Sequence, residues 1–273
     1  DPAGSAARRF TFAALADRDE AAAPRSEPPA PSGSGTPGEL SVFPYLDLTC
    51  TVAVLDSGLR EQLALAHCEE HFEAVELSPL TPVGTGVATA GLSQDWSVPT
   101  IRRQEVVSDP TNVLALEAAL RRETLLAGYA RSAEAVHLAA SHRVVRPQRR
   151  DAPGIPSHFK LFALTSSGRD TGHFGFEAMA LLRQVEFILG LLNEYFARMV
   201  PLQVAYTIPG ADPERLDPRL SAIEDAASEY GAWLVEEAER PAASSYYAGF
   251  CFQVNAWSTM GEWVQVADGG VVD

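Results

Sequence analysis

The chain has 273 residues, 46% of them apolar, and a formal charge of −15, enough material for one large domain with a sizeable core or two small ones. That acidic excess argues against broad nonspecific binding to nucleic acid or membrane, which needs a basic face, but leaves room for a local basic pocket. Three cysteines (Cys50, Cys68, Cys251) without CxxC spacing argue against a disulfide framework and for a reducing, cytoplasmic setting, and no apolar run approaches the ~20 residues of a membrane helix.

Residues 1–40 are rich in Ala, Pro, Ser and Gly, as in AAAPRSEPPAPSGSGTPGE. Such a composition cannot bury enough apolar area to offset the entropy of ordering, so a disordered low-complexity segment is expected. Its Asp17, Asp19, Glu20 and Glu27 speak against a transit peptide, which is poor in acids. The first residue is Asp rather than Met, so either end can lie within a longer protein.

One ordered domain is expected over 41–273, beginning near LSVFPYLDLTCTVAVL. SGLREQLALAHCEEHF places Leu59, Leu63, Leu65 and Phe72 at helical spacing, and EAVELSPL alternates as a strand ending at Pro79. TNVLALEAALRRETLLAGYA reads as an amphipathic helix capped by Ser108 or Asp109, with Pro110 beside it. AEAVHLAASHRVVRP and HFKLFALTSS read as two strands joined by the loop QRRDAPGIP. FEAMALLRQVEFILGLLNEYF is apolar nearly all round and predicts a buried helix. LQVAYTI, GAWLVEEAE, YYAGFCFQV and EWVQVA add further strands. The expected class is α+β, a mostly antiparallel sheet flanked by helices.

The hairpin carries the chemistry. A strand pair can hold a triphosphate if one strand offers a rigid bidentate arginine, the loop adds a second cation and the returning strand presents an aromatic face to the purine. Arg143 and Arg146 stand on the outgoing strand, His158 at the loop exit and Phe162 on the return. The plainer reading makes Arg149 and Arg150 a solvated turn and Phe162 a core aromatic. GRDTGHFGFE (168–177) reads either as a substrate loop presenting Arg169 or as a capped helix start using Asp170 and Thr171. His67 and His71 share a helix face but lack a third ligand, so no metal site is expected.

The stretch HRVVRPQ, Arg143 to Gln148 included, resembles motif 2 of class II aminoacyl-tRNA synthetases, nearest to histidyl-tRNA synthetase, whose strand reads Phe-Arg-aromatic-Glu-Arg-Pro-Gln. LREQLALAHCEEHFEAVELSPLTPVGT resembles motif 1, which in the family forms the dimer interface. EVVSDPTNVLALEAALRRE resembles a segment carrying substrate-recognition residues, and SSYYAGFCFQV resembles the family's double-tyrosine strand. The resemblance spans roughly residues 50–265 and implies a class II synthetase-like core over 41–273, incomplete at its C-terminus. It implies ATP and Mg²⁺, with Arg143 as catalytic residue and Arg143, Arg146, His158 and Phe162 on ATP. Thr111, Gln148, Arg169, Tyr246 and Tyr247 become the substrate-binding set. A homodimer through about residues 58–82 and an amino acid passed to tRNA or a carrier protein follow.

The sequence departs from the family pattern at chosen points. Val145 stands for the motif 2 Glu, Leu161 for the Glu before the stacking Phe, Ala242 for an activating arginine, and Thr111 for the Glu that receives the ammonium. Motif 3, a glycine-rich strand and helix with an arginine, is not visible. Two readings compete: an ATP-dependent aminoacyl ligase, and a non-catalytic synthetase-like subunit that senses a ligand or regulates a partner enzyme.

Removing residues 1–40 is expected to leave the melting temperature within a few degrees, since the segment cannot build a core. A thermal unfolding comparison of the two chains checks this.

Overall fold

The computed structural model describes residues 46–54, 64–65, 67–68, 71–147, 157–170, 172–208, 217–237, 247–259 and 261–272. In chain order these give β1 (Leu46–Val54), β2 (Glu73–Ala74), β3 (Leu80–Pro82), α1 (Thr85–Ala90), β4 (Val98–Pro99), β5 (Gln104–Val106), α2 (Pro110–Gly128), β6 (Val136–Val145), β7 (His158–Gly168), α3 (Gly175–Tyr195), β8 (Leu202–Thr207), α4 (Pro218–Tyr230), β9 (Trp233–Glu236), β10 (Cys251–Trp257) and β11 (Trp263–Val272). Residues 64–65 and 67–68 are helical, within the helix expected there.

Eight strands form one sheet in the order β2-β6-β7-β1-β11-β10-β8-β9, and β3-β5-β4 form a second, small sheet. Only the outermost pairs of the large sheet, β2 with β6 and β8 with β9, are parallel; its interior ladders are antiparallel. The α+β architecture is therefore the one the strand pattern implies. No helix among the described residues is long and apolar enough to cross a membrane.

The long helix α3 forms because its apolar residues recur around most of its circumference, and it covers one face of the sheet. Val185, Ile188 and Leu189 pack with Phe162, Leu164, Val204, Phe252 and Val254, all fully buried. α4 lies beside α3 and adds Ile223 and Ala226 to the same core. Over β6 and β7 the opposite face is covered too: Leu114 and Ala118 of α2 pack on Leu138, Ala140 and Ala163. The hairpin strands are thus sandwiched, which decides what their side chains can reach.

Four features differ from the sequence reading. The strand expected over EAVELSPL is split: Glu73–Ala74 joins the large sheet, whereas Leu80–Pro82 pairs with β5 in the small one. Proline at 79, which offers no N–H to a ladder, stands at the break. α4 is a helix the sequence reading passed over, although Asp217 caps it, Pro218 opens it and Gly231 closes it in the left-handed conformation. The small sheet and α1 were also unforeseen, being too short to show a period.

A buried carboxylate organises that small sheet. Glu105 of β5 is 3% exposed and accepts hydrogen bonds from the Gly84 and Gly86 N–H groups (3.0 and 3.3 Å), from Gln94 Nε2 (2.6 Å) and from Ser97 Oγ (3.0 Å). Burial alone would raise its pKa, but these donors together outweigh burial and hold it below the ordinary glutamate value. Gly84 can serve because φ is +88° there, a left-handed conformation that side chains disfavour. β5, which carries this carboxylate, ends four residues before α2 begins at Pro110.

Glu105→Ala is expected to cost roughly 3 kcal/mol, because several buried donors lose their acceptor at once. The folded-state pKa is depressed, so the stabilisation is complete above the unfolded glutamate pKa of about 4.3 and is lost as pH falls through the lower folded value. Urea titrations of both chains at pH 7 and pH 3 check this: the gap between them should narrow in acid.

Candidate functional site: the Arg143–His158 hairpin

β6 and β7 pair antiparallel, with Ser141 opposite Phe162, Arg143 opposite Lys160 and Val145 opposite His158. Directly opposed residues point to one face, so Arg143, His158, Lys160 and Phe162 share a side of the sheet. Arg143 is exposed, and its Nη1 lies 3.2 Å from His158 Nδ1. With Lys160 across the ladder, the strand ends bring two cationic side chains and an imidazole together.

The aromatic member of the set is closed. Phe162 is fully buried and stacks on Phe187 of α3, with centroids 5.8 Å apart and rings 5° from parallel. This corrects the expectation that its ring would face a purine. The face it shares with Arg143 is the one α3 occupies, and only the strand ends project beyond the helix. The other hairpin face is closed as well, by an apolar cluster of Val107, Val144 and Leu161 with Phe159 and Val113 against it.

Arg146 turns away from the hairpin mouth. Its Nε donates to the Ser108 carbonyl (3.0 Å), Nη2 donates to Asp109 Oδ2 (3.3 Å), and the guanidinium sits 5.1 Å over the Phe159 ring. Asp109 is the N-cap of α2, accepting from the Thr111 N–H (2.9 Å) and Thr111 Oγ1 (2.7 Å). Arg146 therefore fastens the helix start to the hairpin, and the buried Thr111 hydroxyl is engaged in the cap.

The remaining candidates are not gathered here. Arg169 is exposed just past the far end of β7, about 36 Å along the strand from His158 at ~3.3 Å per residue. Tyr247 donates from Oη to Asp268 Oδ2 (2.9 Å), and its ring lies over Gly270, where a Cβ would come within 2.5 Å of the ring. Glycine at 270 is what admits the tyrosine. Gln148 and Tyr246, with Arg149 and Arg150, lie outside the described residues. His67 Nδ1 lies 3.7 Å from Glu194, and His71 is exposed.

Two features had no sequence signal strong enough to find them. Arg219 of α4, 7% exposed, bridges Glu177 Oε2 (2.9 Å) and Asp217 Oδ2 (2.7 Å) and lies 3.9 Å over the Phe174 ring. Burial pushes the Glu177 carboxyl upward, against the pull of Arg219. His173 and Phe174 both take positive φ, 56° and 57°, and Asp170 Oδ1 accepts from the Phe176 N–H (3.2 Å). Of the two readings of 168–177, this contact fits the capped helix start. The second feature is a groove of about 690 Å³ at the β2–β6 edge, lined by His71, Glu73, Arg121 and His137 among others. Burial and the nearby Arg183 hold His137 down to about 4, so it is neutral at pH 7; its Nδ1 lies 2.9 Å from Ser166 Oγ.

No protein-family model matches the chain, and no curated protein matches it. Solved structures do. The RNA-binding domain of threonyl-tRNA synthetase from Cryptosporidium parvum Iowa II superposes with a TM-score of 0.51 at 10% identity, covering 77% of this chain and 53% of that one. Apo histidyl-tRNA synthetase from S. aureus superposes with a TM-score of 0.50 at 9% identity, covering 80% and 64%. The chain thus spans between half and two thirds of those proteins. The fold is class II synthetase-like, and at these identities the likeness concerns fold.

Arg146→Ala is expected to destabilise by roughly 1–3 kcal/mol, through lost hydrogen bonds and the ring contact. Arg143→Ala, at an exposed strand end, should stay within about 0.5 kcal/mol. Chemical denaturation of the two variants checks the division of labour.

Proposed function

We propose that this chain is a class II synthetase-like subunit that does not form acyl-adenylates and instead senses a ligand or regulates a partner. One observation carries the reading: the hairpin that resembles an ATP clamp is packed shut on both faces. Phe162 is spent on Phe187. Leu161, at the position of a family carboxylate, is 6% exposed within the Val107–Val144 cluster, so a restored glutamate there would bury a charge without a partner.

A second reading, ATP-dependent activation of an amino acid with transfer to tRNA or another acceptor, is favoured by Arg143. Its exposed guanidinium, with His158 and Lys160, fits a phosphate. The hairpin does not fit Mg²⁺ equally well: Val145 and Leu161 replace the carboxylates that a hard cation prefers. A homodimeric, cytoplasmic protein is compatible with either reading and is part of the proposal.

ATP–pyrophosphate exchange, screened over all amino acids, separates the readings. The expected result is no amino-acid-dependent exchange, together with a melting-temperature rise for one amino acid or nucleotide; a ligand at 100 times its Kd stabilises by about 2.7 kcal/mol. Amino-acid-dependent exchange would overturn the proposal in favour of the second reading. In that case Arg143→Ala should weaken ATP binding by roughly one to two orders of magnitude, the worth of a charge-assisted bidentate contact.

A further inference from the structure

Three of the four tryptophans gather at one end of the large sheet. Trp257, the last residue of β10, pairs in register with Trp263, the first of β11, and their rings lie 5.1 Å apart at 73°. Trp233, the first residue of β9, lies 6.5 Å from Trp263. The ladders place all three on one face: Trp233 is opposite Gln203, Gln203 is opposite Asn255, and Asn255 is two residues from Trp257. Val254, one residue off this phase, belongs to the core under α3. The tryptophans therefore point away from α3, and α2 lies over β6 and β7 instead. Trp233 is 64% exposed and Trp257 42%. A groove of about 340 Å³ beside Trp233 is lined by Met199 and Pro201 together with Asn193 of α3 and Tyr230 of α4.

Three neighbouring indoles at a sheet end, two of them exposed and Trp263 half-buried, mark an interaction site rather than ordinary surface. Rigid aromatic rows separated by shallow grooves suit a polyproline II ligand, whose proline rings lie against aromatic faces at little entropic cost. The chain carries such a ligand. Residues 24–31 read Pro-Arg-Ser-Glu-Pro-Pro-Ala-Pro, and they lie outside the described residues. Arg25, Pro28 and Pro31 recur every third residue, the period that a polyproline II helix places along one edge. Exposed Glu262, beside Trp263, offers Arg25 an anionic partner.

The reach is sufficient. β1 enters the sheet with Asp47 opposite Val272, at the other end of β11 from Trp263, about 30 Å away at ~3.3 Å per residue. The fifteen residues from Pro31 to Leu46 span up to about 50 Å, and they begin with the Gly/Ser-rich stretch SGSG. We propose that the row Trp233–Trp263–Trp257 is the docking surface for this chain's own proline-rich segment, residues 24–31.

The test uses full-length chains and a fluorescein-labelled synthetic peptide of residues 22–33, read by anisotropy. The tethered segment competes at about millimolar effective concentration, so the native chain should bind the peptide weakly. A Pro28→Ala/Pro31→Ala chain, its own segment disabled, should bind it at least about tenfold more tightly. Adding Trp233→Ala to that chain should abolish binding. A peptide with both prolines replaced by alanine should not bind any of the chains, a control that leaves the protein fold untouched. Equal affinity of the native and double-proline chains would overturn the proposal and assign the row to another molecule, as would absence of binding to both. Tenfold corresponds to about 1.4 kcal/mol, within the few degrees expected on removing residues 1–40.

Discussion

β1 holds the two halves of the sheet together. β7 and β11 share no ladder; each pairs with β1, over nine and six residue pairs respectively. Without it the sheet would fall into β2-β6-β7 and β11-β10-β8-β9, each with a new open edge. The strand is more than a hundred residues from β7 and more than two hundred from β11, so closing the sheet needs the most non-local pairing in the chain. α3 crosses the same join, laying Phe187 on Phe162 of β7 and packing Val185, Ile188 and Leu189 into the core that Val204 and Val254 share. Strand and helix together fix where the hairpin stands relative to the tryptophan row.

Arginine does similar work at two helix starts. Asp109-Pro110 opens α2 and Asp217-Pro218 opens α4; in both, the aspartate caps the helix by accepting the N–H two residues on, and proline takes the first turn. In both, an arginine then holds the aspartate: Arg146 from the hairpin, Arg219 from the first turn of α4 itself. Arg219 adds Glu177 of α3 and stacks on Phe174, whose positive φ must be held by its surroundings. Removing one partner of that buried group would leave a charge unpaired, the costly case. The arginines that a sequence reader assigns to phosphate are, for Arg146 at least, committed to architecture.

What could be read from the sequence follows from which forces are local. α2, α3 and the β6–β7 pair announce themselves through period, caps and the Pro/Gly loop, and their bounds lie within a few residues of expectation. α4 carries the same cap signals, but its buried face is mostly Ala222, Ala226 and Ala227, too weakly apolar to stand out. The strand phase of Arg143 and Phe162 was legible, because side chains alternate with a period of two. That α3 would cover the shared face was not, since only tertiary packing decides it. The Arg219 group was equally hidden, its members lying about forty residues apart until two helices meet.

Closure of both hairpin faces leaves β6 and β7 accessible at their ends. β7 and β11 are each antiparallel to β1 and so run in one direction. Their first residues, His158 and Trp263, therefore stand at the same end, two strand spacings or about 10 Å apart across the sheet. Arg143 and Lys160 project there from the α3 side, and Trp257 and Trp263 from the opposite side. Packing occupies both faces of the sheet over the hairpin, and Arg143, Trp233 and Trp257 stay exposed. The cationic pair and the indoles therefore share one end of the sheet but opposite faces, so no single small molecule can touch both.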